Sequence, residues 1–169
     1  ALAARPQELG ELGTFAHPDA FTDLFAKVHD PMGNTYHRLS NFVIEVDGEF
    51  TGQLTIGNVT HGALRSAWIG YWVASSATGG GVATAALALG LDHCFGPVML
   101  HRVEATVRPE NAASRAVLAK VGFREEGLLR QYLEVDGAWR DHLLVAITVD
   151  ELNGSAASAL VREGHASWA

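Results

Sequence analysis

The stretch YWVASSATGGGVATAALAL, residues 71–89, concentrates the chemistry of this chain. A strand-like run passes through Thr78 into Gly79, Gly80 and Gly81, then directly through Val82, Ala83 and Thr84 into an Ala- and Leu-rich helix. Successive glycines let backbone amides point one way with no side chain in front of them. The N-terminus of the following helix adds about half a unit of positive charge at the same point. Together these features form a cradle for a pyrophosphate. A Gly-rich loop that only relaxes a turn is the plain alternative.

Two other phosphate motifs compete and lose. A dinucleotide-binding turn wants G-x-G-x-x-G, and Thr84 stands where the third glycine belongs. Glu104 lies at about the distance expected for a ribose contact. Yet the neighbouring strands pair as hairpins instead of alternating with helices. A Walker-type loop requires a Lys after the last glycine, and Val82 is there instead.

The loop resembles the acetyl-CoA loop of the GNAT superfamily, (Gln/Arg)-x-x-Gly-x-(Gly/Ala). Gly81 and Ala83 fill the small positions, and Thr78 replaces the usual Gln or Arg. HRVEATVRPENAASRAVLAKVGFREEG, residues 101–127, is similar to the second half of the same cofactor site. Its GF-x-x-EG, with the DG-x-W-x-D of residues 136–141, resembles the RimJ/RimL branch. The resemblance covers roughly residues 41–150, and the first 40 match poorly. It implies an acetyl-CoA-dependent N-acetyltransferase acting on a protein N-terminus of the Ala type, such as that of a ribosomal protein. Two alternatives stay open: acetylation of a small amine (polyamine, sugar amine or antibiotic), and a non-catalytic acetyl-CoA sensor.

Making an amide from a thioester needs a neutral amine near the carbonyl, donors for the oxyanion, and a proton for the thiolate. The resemblance places the thioester beside Trp72, Val73 and Ala74, whose amides are free if the sheet splays there. The base and acid positions of the RimI branch hold Thr106 and Leu118 here, so that pair does not carry over. Glu104 shares a strand face with Thr106 and is the candidate base, directly or through water. An ion pair with a neighbouring Arg is its competing role. The resemblance sets Asn111 beside the pantetheine arm and Ser114 within reach of the CoA sulfur, as an acid. A Ser bonded to its own helix backbone is the bland outcome.

Tyr132, Glu134, Asp141 and His142 are candidates for the acceptor groove, with a solvated surface as the alternative. Arg115 and Lys120 are candidates for the adenosine 3′-phosphate. Trp68 and Trp72 share one strand face and are expected to pack. His93, Cys94 and His101 match no zinc spacing, so no metal is expected.

These residues need a scaffold. Apolar spacing predicts a helix over 18–28, then strands over 42–46, 50–59 and 65–74, the first two joined by an Asp47-Gly48 turn. A helix over 82–95, a strand over 102–107 and a helix over 112–121 capped by Asn111 follow. A hairpin over 124–135 and 138–149 turns at Asp136-Gly137. The fold class is α+β: a mostly antiparallel mixed sheet with a central parallel pair and flanking helices. One domain covers residues 1–169, with 1–16 and 153–169 as peripheral tails, the second expected to fray.

At 169 residues with 48% hydrophobic and 18% charged content, the chain can bury one real core. A net charge of −7 disfavours a nucleic-acid surface and favours cationic partners. The single cysteine fits a reducing compartment. No apolar run reaches the roughly 20 residues of a membrane span, and ALAARPQELG lacks signal-peptide features. A cytoplasmic enzyme is therefore expected, with neither membrane nor nucleic acid as partner; monomer and homodimer are both compatible.

Overall fold

The computed structural model describes residues 14–15, 40–152, 154–164 and 167–168. The helix expected over 18–28 lies outside them. Strands β2 (Ser40–Val46), β3 (Glu49–Thr60) and β4 (Ser66–Val73) form an antiparallel meander. Helix α1 (Val82–Phe95) follows, then β5 (Arg102–Val107), α2 (Ala112–Lys120) and the hairpin β6 (Arg124–Val135) and β7 (Ala138–Thr148). These strands lie in the order β2-β3-β4-β5-β7-β6, with β4 and β5 the parallel pair. Two short strands, β1 (Thr14–Phe15) and β8 (Ser167–Trp168), pair in parallel as a separate ribbon.

Alternation along the strands sends one row of side chains to a common face. Phe42, Ile44, Leu54, Ile56, Ile69, Val103, Val107, Val145 and Ile147 are all buried there. Helix α1 lies on that face and is buried almost all round, because α2 and α3 (Ala156–Arg162) also pack against it. Gly90 allows its close approach: a Cβ there would stand 3.0 Å from Ile69 and 3.1 Å from Leu54.

Within the tail, residues 156–162 form a packed helix. Ala156, Ala157 and Leu160 of α3 are buried, and Ser155 caps the helix through the amide of Ser158. Asp92 of α1 accepts from Ser155 Oγ at 2.8 Å and from the amides of Ala156 and Ala157 at 2.6 and 3.2 Å. A helix too short to hold itself is held by a distant carboxylate that satisfies its free amides. Among the described residues, no helix is long and apolar enough to cross a membrane.

The feature that positions the site is a divergence. β4 pairs with β3 as far as Val73, and β5 pairs with β7 as far as Val107. Between themselves β4 and β5 pair only from Ser66–Arg102 to Trp68–Glu104. Beyond Trp68 the parallel strands part, leaving a gap on the line into the glycine loop.

Candidate active site

Gly79 and Gly81 adopt φ of +86° and +80°, a region costly for residues with a Cβ. A Cβ on Gly79, Gly80 or Gly81 would meet no atom within 4 Å, so packing does not demand these glycines. Backbone conformation and an open approach do. Helix α1 has no side-chain N-cap, and its first internal bond runs from the Ala85 amide to Gly81 O at 2.9 Å. The amides of Val82, Ala83 and Thr84 therefore have no partner among the described residues. The Val82 and Thr84 side chains are buried, so only their backbones can serve a ligand. Thr78 turns back instead, its Oγ1 donating to Ser75 O at 2.8 Å.

β4 and β5 are parted at Trp72, Val73 and Ala74, but this frees fewer amides than three. Ala74 N donates to Thr51 O at 2.7 Å. Alternation along the unbroken antiparallel register then assigns the Trp72 amide to Gln53. Val73 and Tyr71 are left with amides facing the gap. Trp72 is half exposed, on the opposite sheet face from the core, with its ring edge-on to Phe50 at 5.6 Å.

At the start of α2, Asn111 Oδ1 accepts from Ser114 N at 3.0 Å and caps the helix. Ser114 Oγ lies 2.9 Å from the hydroxyl of Tyr71 on β4. Sequence reasoning missed Tyr71. Its signal was parity: Tyr71 shares a strand face with buried Ala67 and Ile69, and a phenol on that face needs a partner for its hydroxyl. Burial pushes the Tyr71 phenol above its ordinary value, and the Ser114 bond opposes this in part.

Glu104 is drawn away from the gap. Its Oε1 accepts from Arg102 Nε at 2.7 Å. Arg102 grips Glu126 with both terminal nitrogens, Nη1 at 3.0 Å, and Glu126 and Glu151 share Arg124. The Glu126 hydrogen bond is the main reason the Arg102 guanidinium rises above its ordinary value, and the same bond lowers the Glu126 carboxyl. Val73 lies five residues beyond Trp68, the residue opposite Glu104, or about 16 Å at 3.3 Å per residue. The geometry places Glu104 in the ion pair with Arg102 that was its competing role.

On the hairpin, Asp141 accepts from the Gln131 amide at 2.8 Å, where β6 bulges, and Glu134 is exposed. His142 is buried, not solvated. Its Nδ1 lies 3.1 Å from Arg140 O, and a carbonyl only accepts, so Nδ1 carries the proton. Tyr132 lies edge-on to the His142 ring at 5.9 Å. Arg115 donates to Pro109 O at 3.2 Å and lies 3.7 Å from Glu125, while Lys120 is exposed.

His93 packs edge-on against Phe42 at 5.5 Å, and His101 lies 3.8 Å from Asp150. Burial pushes the Cys94 thiol up to about 12. Among the described residues, no three His, Cys, Asp or Glu side chains group as a metal site would require.

Comparison with known proteins agrees with this geometry. Residues 5–124 match the acetyltransferase (GNAT) domain. The chain is 39% identical over 101 residues to the Bacillus subtilis protein named "Probable N-acetyltransferase YjcK", covering 60% of this chain and 56% of that protein. It is 33% identical over 103 residues to the ribosomal protein uS5-alanine N-acetyltransferase of Escherichia coli, covering 61% and 53%. The chain thus spans just over half the length of these relatives. Among solved structures, Mycobacterium smegmatis RimJ in complex with CoA-disulfide is 79% identical with a TM-score of 0.76, over 78% of this chain and 63% of that one. With an open helix N-terminus, a splayed parallel pair and a domain match over most of its length, this chain belongs to the GNAT acetyltransferase family.

Proposed function

We propose that this chain moves the acetyl group of acetyl-CoA to the α-amine of a protein N-terminus, of the Ala type found on ribosomal proteins. The observation that carries this reading is the alignment of two features: unpartnered amides at the start of α1, and a gap between β4 and β5 leading away from them. Amides from Gly79 to Thr84 bind the pyrophosphate, and the α1 dipole adds to the attraction. The pantetheine arm runs along the gap past Asn111, and the Val73 amide donates to the thioester oxygen as it gains charge. The neutral amine attacks the carbonyl and its nitrogen gives the extra proton to water, the C–S bond breaks with its electron pair going to sulfur, and Ser114 donates a hydrogen bond to that sulfur. The likeness to the E. coli enzyme named for ribosomal protein uS5 and to mycobacterial RimJ supports a protein N-terminus as acceptor. The acidic balance of the chain suits a cationic one. Neither metal nor nucleic acid enters this scheme.

The test is release of free CoA thiol from acetyl-CoA with an Ala-initiated peptide, compared with spermidine and an aminoglycoside. Preferred turnover of the peptide supports the proposal. Preferred turnover of a free amine replaces it with small-molecule acetylation, and tight acetyl-CoA binding with no turnover on any amine leaves a sensor. Mass spectrometry of proteome N-termini, with and without the protein, then identifies the natural acceptor.

A further inference from the structure

Tyr71 on β4 and Ser114 in the first turn of α2 come from distant parts of the chain, and their hydroxyls meet at 2.9 Å. We propose that Tyr71 is a positioning residue, holding the Ser114 hydroxyl so that its proton points at the departing sulfur. This rests on the reading above, in which Ser114 faces the thioester.

A serine in the first turn of a helix usually spends its hydroxyl on nearby backbone. That outcome would aim the Ser114 proton away from the gap. Here the Ser114 amide is already taken by Asn111, and the Ser114 Oγ is taken by a residue 43 positions away. A hydroxyl has one proton and two lone pairs. When Tyr71 donates to Oγ, the serine proton is left for a third group, which in the acetyl-transfer reading is the sulfur. The phenol also points toward the Ser114 carbonyl oxygen at 3.5 Å, a contact too long to compete for its proton with Oγ at 2.9 Å.

Tyr71 is not itself the source of the sulfur's proton. Burial raises its pKa, so the tyrosinate that such a transfer would leave is disfavoured, and Tyr71 stays a neutral donor through the working range. The thiolate takes its proton from solvent, and the Tyr71–Ser114 pair stabilises the charge until then.

Tyr71→Phe keeps the ring and removes only the hydroxyl. Using whichever amine the wild type turns over, we expect kcat to fall about tenfold, less than the roughly hundred- to thousandfold cost of removing a direct donor, because Tyr71 acts through Ser114. The KM for acetyl-CoA should stay within about twofold, because the bond acts on the leaving group and not on the cradle. Ser114→Ala should lose at least as much, and the double variant should be no slower than Ser114→Ala alone, since both changes remove one coupled device. Unchanged kcat in Tyr71→Phe, a loss confined to KM, or losses that multiply in the double variant would each overturn the proposal. So would a Tyr71→Phe protein whose rate per folded molecule is normal and whose melting point alone has dropped. A wild type that turns over no amine overturns the acetyltransfer reading and this role with it, whereas normal wild-type turnover beside an unaffected Tyr71→Phe overturns only the role of Tyr71.

Discussion

Trp68 and Glu104 face each other as the last residues that β4 and β5 share before the strands part. This pairing sets Glu104 behind the fork, while the Val73 amide lies well beyond it. The carboxylate is spent on Arg102, which is itself anchored by Glu126.

The first prediction follows from that placement. Glu104→Gln keeps the shape and weakens one partly exposed ion pair, so stability should fall by no more than about 1 kcal/mol. Acetyl transfer should slow less than about threefold, with a pH–rate profile parallel to the wild type. A general base would lose on the order of a hundredfold or more and recover at high pH. That pattern would return Glu104 to the mechanism.

Gly81→Val tests the cradle. The left-handed φ of Gly81 suits no β-branched residue, and straightening it would swing the amides that start α1. Acetyl-CoA affinity, measured by calorimetry, should fall about tenfold or more, equivalent to about 1.4 kcal/mol. Equal affinity in a folded variant would mean that the loop does not hold the cofactor.

Asn111→Ala removes the cap on α2 and should cost about 1 kcal/mol in denaturant unfolding. Because Asn111 also holds the amide of Ser114, the variant should lose rate as well as stability. A loss of stability with normal kcat would confine Asn111 to capping.

Asp92→Ala tests whether one carboxylate holds α3. It leaves two amides and a hydroxyl without their acceptor, worth about 1–3 kcal/mol, and hydrogen exchange over 156–162 should accelerate before the rest of the domain. The pH dependence has a defined sign. Desolvation raises the Asp92 pKa above its ordinary 3.8, against the bonds from Ser155, Ala156 and Ala157. The folded state thus holds the proton more tightly than the unfolded one. Asp92's contribution is fullest below the ordinary value and declines as pH rises through the raised one. Urea unfolding should show the wild type's advantage over Asp92→Ala shrinking across that window, and an advantage that grows with pH would contradict it.

Much of the scaffold was legible in local residues. The helix Val82–Phe95 and the strand Arg102–Val107 stand where apolar spacing puts them, and the turns at Asp47-Gly48 and Asp136-Gly137 join the hairpins as expected. The Asn111 cap and the glycine loop were equally readable, because capping, turn chemistry and periodicity act over a few residues. Tertiary structure decided what lies between distant segments. Sheet register committed the Ala74 amide to Thr51 and released that of Val73; packing brought Tyr71 to Ser114, drew Glu104 to Arg102 and Glu126, and laid Asp92 against the start of α3. A hydrogen-bonding group takes whichever partner the packed chain brings within about 3 Å, and composition and spacing along the chain do not specify that neighbour.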